Sequence, residues 1–480
     1  MKFDETPIVK DPAKEGILSP PNIRENASAA VRCYPSKPKD TQAIGLPGER
    51  VPNWQEKGIA KFAELLEKNK ALRVYMDICV RCGACTDKCQ FYLGTGDPQN
   101  FPVMRAELMR KVYRRYFTPA GRANTLSEAA DFDEEMLEKW YTYFYQCSEC
   151  RRCSVFCPYG IDTAEITMAA REIMASIGVS TKYVTEVVAK VYERGNNLGI
   201  PPAAWKDNCE FLEQDVEEET GKPIRFPVDD YGADILLVPP SADNFANVDT
   251  MIGYGKLFYA LGIRWTTSTY CNEGGNFGLF LNYQNLKKVN KRIIDAARML
   301  NVKTIIWGEC GHAWRGAILT PTLNGPMDMF DPPYPYHISQ FIVKMIRQGA
   351  FEGRIDKSAN DDYIVTYHDP CNTARAGQLL DEPREILRYC VNHFIEMPRN
   401  TIREKTFCCG AGGGLLTDEL MPIRMAGGKP RAMAVKHTGA NYLATICAIC
   451  KAQLPESMHY WDVPVKVGGT IDLFARALLL

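Results

Sequence analysis

The chain has 480 residues, a formal charge of −1 and 46% hydrophobic residues, a balance that excludes a polycationic nucleic-acid binder. No apolar stretch approaches the ~18–20 residues of a membrane span. The 18 cysteines fall at short, clustered intervals, and Met1-Lys2-Phe3-Asp4-Glu5 opens no apolar signal core, so metal sites in a reducing compartment are expected rather than disulfides.

Residues 1–58 are rich in Pro, Lys and Asp, without lasting periodicity. They read as an extended N-terminal arm that lies on a partner subunit. Residues 59–208 read as helical, with apolar residues at helical spacing over Ile59 to Leu66, Met104 to Phe117 and Ile166 to Ile177. Two cysteine runs interrupt this region: Cys79-x2-Cys82-x2-Cys85-x3-Cys89 and Cys147-x2-Cys150-x2-Cys153-x3-Cys157-Pro158. This is the spacing of bacterial two-cluster ferredoxins. Three close thiolates wrap three corners of a cubane, and the fourth lies beyond the turn and ligates the other cluster. Cys79, Cys82, Cys85 and Cys157 are therefore assigned to one cubane 4Fe-4S cluster, and Cys147, Cys150, Cys153 and Cys89 to the other. The bland alternative, a pair of zinc knuckles, fits the spacing poorly. Gln90 stands where Pro usually follows the fourth cysteine, which affects the turn rather than the ligation. Arg151 and Arg152 tune the second cluster, dock an acidic partner, or sit as solvated surface charge.

The acidic run within 209–230, ending in Gly221-Lys222-Pro223, reads as a linker. Beyond it the pattern becomes α/β, with short apolar strands at Asp234-Ile235-Leu236-Leu237-Val238-Pro239-Pro240, Thr304-Ile305-Ile306-Trp307, Tyr363-Ile364-Val365-Thr366-Tyr367 and Tyr442-Leu443-Ala444-Thr445-Ile446. These segments repeat as two modules, 231–355 and 356–480. The second holds Cys371, then Cys408-Cys409-Gly410-Ala411-Gly412-Gly413-Gly414, then Cys447-Ala448-Ile449-Cys450. Five thiols are too many for one tetrahedral zinc. Adjacent cysteines also make a poor disulfide. On a glycine-rich turn, however, two neighbouring thiolates can reach different irons of one polynuclear site. The first module keeps only Cys271 and Cys310; Tyr270 stands where Cys408 does, Trp307 where Cys447 does, and Cys310 aligns with Cys450. No G-x-G-x-x-G fingerprint indicates a bound dinucleotide.

Two ferredoxin motifs followed by duplicated modules with Cys, Cys-Cys-Gly and Cys-x2-Cys resemble the catalytic subunits of heterodisulfide reductases, over roughly residues 60–480. The degenerate first module and the Pro-rich arm make the resemblance closest to the DsrK and HmeD type, subunits of the DsrMKJOP and Hme membrane complexes. The fold class expected is α+β multidomain: a helical ferredoxin-like domain for two 4Fe-4S clusters, then two pseudo-repeated α/β CCG modules. The resemblance implies that Cys371, Cys408, Cys409, Cys447 and Cys450 hold one noncubane 4Fe-4S cluster that cleaves or forms sulfur–sulfur bonds. It also implies a membrane haem b partner (DsrM-like), the quinone pool, a DsrC-like thiol/disulfide protein substrate, and a place on the cytoplasmic side of the cell membrane through partner subunits. His312 and His368 are candidate proton donors, set against a structural role for each. Cys271 and Cys310 are either core thiols or sulfur traps lining the substrate pocket. Cys33, Cys209 and Cys390 read as structural. Two other functions share the module plan: an iron–sulfur relay subunit of a flavin-linked lactate, glycolate or glycerol-3-phosphate dehydrogenase, and a non-catalytic electron wire.

Overall fold

The computed structural model describes residues 21–123, 128–330 and 336–480. Residues 1–20 of the expected arm lie outside that range. Residues 24–51 of the arm pack on the chain's own helical domain. Gln146 Nε2 donates to the carbonyls of Ser28 and Val31, both at 2.8 Å. Ser28 Oγ donates to Asp97 Oδ2 at 2.7 Å, and Val51 N to Ile177 O at 3.1 Å. A short helix, Pro38–Ala43, interrupts the extended path. Trp54, at the start of helix Trp54–Lys68, is buried against Phe132 at 5.3 Å between ring centroids.

The region that follows is helical, as its periodicity requires. Helices Pro102–Phe117, Glu134–Tyr145 and Thr163–Ser176 bury Met109, Val112, Trp140, Phe144, Ile166 and Ile173 in one core with Phe62 and Leu66. The acidic run expected as a linker is instead part of helix Pro202–Thr220. Trp205, Cys209, Leu212 and Val216 form its buried stripe, while Asp215, Glu217, Glu218 and Glu219 face solvent. Charge density marked the exposed side of an amphipathic helix, whose apolar positions recur every three or four residues.

The two α/β modules each carry a small parallel sheet. The first holds β1 (Ile235–Val238), β2 (Trp265–Thr266), β3 (Thr304–Trp307) and β4 (Tyr336–His337), in the order β2-β1-β3-β4. The second holds β5 (Val365–His368), β6 (Tyr442–Thr445) and β7 (Lys466–Gly468), in the order β5-β6-β7. All residues of β1, β3, β5 and β6 are buried, as expected of parallel strands covered on both faces. The strand pairs match: Ile235 opposes Thr304 as Val365 opposes Tyr442. The modules share a core in which Leu236, Ile306 and Tyr254 of the first meet Tyr367, Ile471 and Phe474 of the second. Among the described residues no helix is long and apolar enough to cross a membrane.

Candidate metal centres

Cys79, Cys82, Cys85 and Cys157 line one cavity, which Cys153 also borders, with Arg110 and Tyr159 in its wall. Cys89 caps the start of helix Gln90–Thr95 and faces the other group, where buried Arg105 lies beside Cys147, Cys89 and Cys153. The fourth cysteine of each run thus sits with the other run's thiols. Gln90 ties the motifs together, its Nε2 lying 3.2 Å from Ser148 Oγ and 3.6 Å from Cys150 Sγ. Neither arginine of the second run is free surface charge. Arg152 is buried and donates to Lys405 O at 2.9 Å and Lys88 O at 2.8 Å, with its guanidinium 3.8 Å from the Phe407 ring centroid. Arg151 pairs with Asp162 and Glu165 at 2.8 and 2.7 Å.

The remaining five thiols converge, and all are buried. Cys371 follows β5, Cys408 and Cys409 lie on the glycine-rich loop, and Cys447 and Cys450 bracket the first turn of helix Ala448–Tyr460, which follows β6. Their side chains contact in series: Cys371 with Cys408, Cys408 with Cys409, Cys409 with Cys450, and Cys450 with Cys447. A sixth thiol, Cys310, continues the series by bonding Cys447. Hydrogen bonds from Cys371 and Cys409 hold Cys408 well below the ordinary thiol range; bonds from Cys310 and Cys450 do the same for Cys447. Donating to those thiolates, with burial, pushes Cys371 and Cys310 up.

Glycines bring this site against the second ferredoxin run. A Cβ on Gly413, whose φ is +67°, would lie 2.9 Å from Cys147 O and from Ser148 Cα. Ser148 bonds Cys408, and Cys150 feels the charges of Cys408 and Arg375. Arginines fasten the approach. Arg171 Nη1 donates to Gly413 O at 2.7 Å and Nη2 to Cys147 O at 2.8 Å, while Arg375 donates to Cys150 O and, at 2.7 Å, to Thr406 O. Sequence reading missed Arg171, Arg375 and Ser148, because single arginines and serines on helices and turns carry no spacing signal.

The other candidates divide. His312, buried against Phe280 at 4.7 Å, lies near Cys447 and Cys408, and its Nδ1 has no bonding partner. Burial pushes its pKa down. Both ring nitrogens of His368 are unbonded, and burial with the nearby Arg431 charge pushes it to about 3, so it is neutral near pH 7 rather than a ready acid. Cys271 is buried beside Arg292 and Glu273, outside the thiol series, and Tyr270 is part-exposed with Arg292 stacked on it. The expected repeat alignment also shifts. Cys310 caps helix Gly311–Asn324 as Cys447 caps Ala448–Tyr460, so its counterpart is Cys447, not Cys450.

The donor set fits iron–sulfur groups. Thiols line the cavities, two of the buried five are favoured as thiolates, and arginines surround them to balance negative charge. Among the described residues no three His, Cys, Asp or Glu side chains converge on a point that suits a single ion.

Residues 75–161 match the 4Fe-4S dicluster domain family, and residues 365–455 match the Cysteine-rich domain family. Over 470 residues, 89% of this chain and 84% of the relative, the chain is 43% identical to the Hdr-like menaquinol oxidoreductase iron-sulfur subunit 2 of Archaeoglobus fulgidus. This chain belongs to the Hdr-like menaquinol oxidoreductase iron-sulfur subunit family. The homologous protein of Archaeoglobus profundus is likewise 43% identical, over 89% of this chain and 84% of its own. A component of the dihydromethanophenazine:CoB–CoM heterodisulfide reductase of Methanosarcina mazei is 25% identical over 84% of this chain and 94% of its own. The Hdr-like family matches the DsrK and HmeD type expected from the motifs. The α+β multidomain class stands as well, with the ferredoxin-like unit before the cysteine-rich one. Iron–sulfur clusters are its cofactors.

Proposed function

We propose that this chain is the iron–sulfur oxidoreductase subunit of a membrane-bound complex and acts on a sulfur–sulfur bond at the five-thiol site. The observation that carries this reading is the contact series Cys371–Cys408–Cys409–Cys450–Cys447 packed directly on Ser148 and Cys150 of the second ferredoxin run. We assign Cys79, Cys82, Cys85 and Cys157 to one cubane, Cys89, Cys147, Cys150 and Cys153 to the other, and the five thiols to a noncubane 4Fe-4S cluster. When bound, the cubanes supply single-electron carriers, and the noncubane group supplies an iron at which substrate sulfur is held during two-electron chemistry.

The protein's own residues do the rest. Gly412 and Gly413 let the loop lie on the neighbouring motif, and Gly414 lets it pass Val184, so the two redox sites share a wall. Arg171 and Arg375 hold that wall together through backbone carbonyls of both sides. Arg431 donates to Thr406 Oγ1 and Phe407 O, fixing the segment that leads into Cys408. His312 is assigned to proton delivery to substrate sulfur. Arrangement into an arm, a ferredoxin-type domain near 59–208 and modules dividing near residue 355 accompanies this reading.

The partners proposed are a DsrM-like haem b membrane protein and a DsrC-like protein disulfide or trisulfide, with the chain on the cytoplasmic face. The names of the relatives, one from a menaquinol oxidoreductase and one from a heterodisulfide reductase, support this choice over a flavin-linked dehydrogenase relay. The test is to purify the complex anaerobically and add a thiol substrate to the oxidised protein. A new paramagnetic signal absent from Cys409→Ala is expected, together with at least a ~100-fold loss of disulfide reduction in that variant. Full disulfide-reductase activity in Cys409→Ala would sink the proposal.

A further inference from the structure

Cys310 is placed like a ligand, although it belongs to the module that lost its cysteine set. It sits at the N-cap of helix Gly311–Asn324 with φ −139° and ψ 119°; Cys447 sits at the N-cap of Ala448–Tyr460 with φ −151° and ψ 121°. The two positions are therefore counterparts in conformation as well as in order, each following the second strand of its parallel pair. They also meet, because the Cys310 and Cys447 thiols are hydrogen-bonded. Gly311 permits the meeting: a Cβ there would lie 3.3 Å from Asn372 Cβ and 3.5 Å from Cys447 Sγ. Two helix N-termini, one from each module, thus bring their capping thiols to one point.

A plain core cysteine behaves differently. Cys209, equally buried on helix Pro202–Thr220, donates to Asn244 Oδ1 of the neighbouring module. Cys310 instead accepts only a long bond from Ala313 N, at 3.5 Å, and directs its remaining contact across the module boundary at a member of the five-thiol site.

We propose that Cys310 is a sixth thiol of the five-thiol site, supplied by the first module and reaching the same metal group as Cys447. This rests on reading that site as an iron–sulfur centre. The degenerate module then contributes more than a wall: it closes the site from the side opposite Cys371 in the thiol series.

Cys310→Ser and Cys310→Ala are made in the full chain within its complex, purified anaerobically, and compared with wild type by iron content, electron paramagnetic resonance and Mössbauer spectra. Cys271→Ala is the control, removing a buried cysteine of the same module that lies outside the series. The expected result is a shift in the third cluster's signals in both Cys310 variants, with cubane signals unchanged and Cys271→Ala identical to wild type. Added methanethiol should return the Cys310→Ala spectrum toward wild type, which a merely structural role would not allow. Wild-type spectra in both Cys310 variants, or an equal shift in Cys271→Ala, would overturn the inference and leave the five-thiol reading intact. Wild-type protein with no iron beyond two cubanes would overturn that reading itself, and this inference with it.

Discussion

Gly413 shows how a single residue lets the five-thiol loop lie against the second cysteine run. Its positive φ and the 2.9 Å approach of Cys147 O leave no room for a side chain. Gly413→Ala should lower the unfolding midpoint by the equivalent of at least ~1–2 kcal/mol from backbone strain alone, with further loss from crowding, and should perturb the second cubane's spectrum. Chemical denaturation followed by cluster absorbance measures both. Glu273 makes a different case. It is buried, accepts from Ser241 Oγ at 2.5 Å and Gly275 N at 2.5 Å, and burial nevertheless pushes it up to about 7. Because the folded pKa lies above the ordinary value of 4.5, its stabilising contribution is full below 4.5 and is lost as pH rises through about 7. Glu273→Gln removes that dependence. The stability of wild type relative to the variant should therefore fall across this window in urea titrations run below and above it. The cysteine runs that the structure brings together were legible at this scale, since their short spacing is a local property. The residues that fasten them, Arg171, Arg375 and Ser148, were not, because their partners lie up to 242 positions away.

At the scale of elements, the helix Pro202–Thr220 teaches the most. Its acidic run suggested a linker, yet Leu212 and Val216 are completely enclosed. Leu212→Ala should cost about 2–5 kcal/mol, by lost burial and a residual cavity. Glu217→Ala, on the exposed side, should change stability by less than about 0.5 kcal/mol. Urea midpoints of the two variants separate a packed helix from a linker. Strands were read more successfully, because buried parallel strands are short apolar runs, and β1, β3, β5 and β6 all fall on the expected segments, although β1 is shorter at both ends and β5 starts only at Val365. Repeat alignment failed by one thiol. Matching Cys310 to Cys450 follows from counting residues, whereas the helix cap that pairs it with Cys447 is a property of backbone geometry.

Across the whole molecule, the two modules are locked by polar as well as apolar contacts. Lys451 Nζ meets Glu309 Oε2 at 2.7 Å and donates to Thr250 Oγ1 at 2.7 Å, while Glu309 Oε1 accepts from Thr470 Oγ1 at 2.6 Å. Lys451 and Glu309 are both buried and come from different modules, one beside Cys450 and the other beside Cys310. Lys451→Met leaves a buried carboxylate without its partner and should destabilise by about 3–5 kcal/mol; adding Glu309→Gln should restore most of that, as read by denaturation of the three proteins. The arm makes a related point, since residues 24–51 are held by contacts to the chain's own helical domain. The sequence by itself determined the cysteine runs, the change from helical to α/β pattern, the duplication and the family, because each is written in spacings of a few residues. Tertiary structure alone decided that the glycine loop lies on Cys147 and Ser148, that Cys310 joins the five thiols while Cys271 does not, and that buried arginines hold the redox sites together. Those are contacts between segments hundreds of residues apart, and only the packing of whole modules brings them within bonding distance.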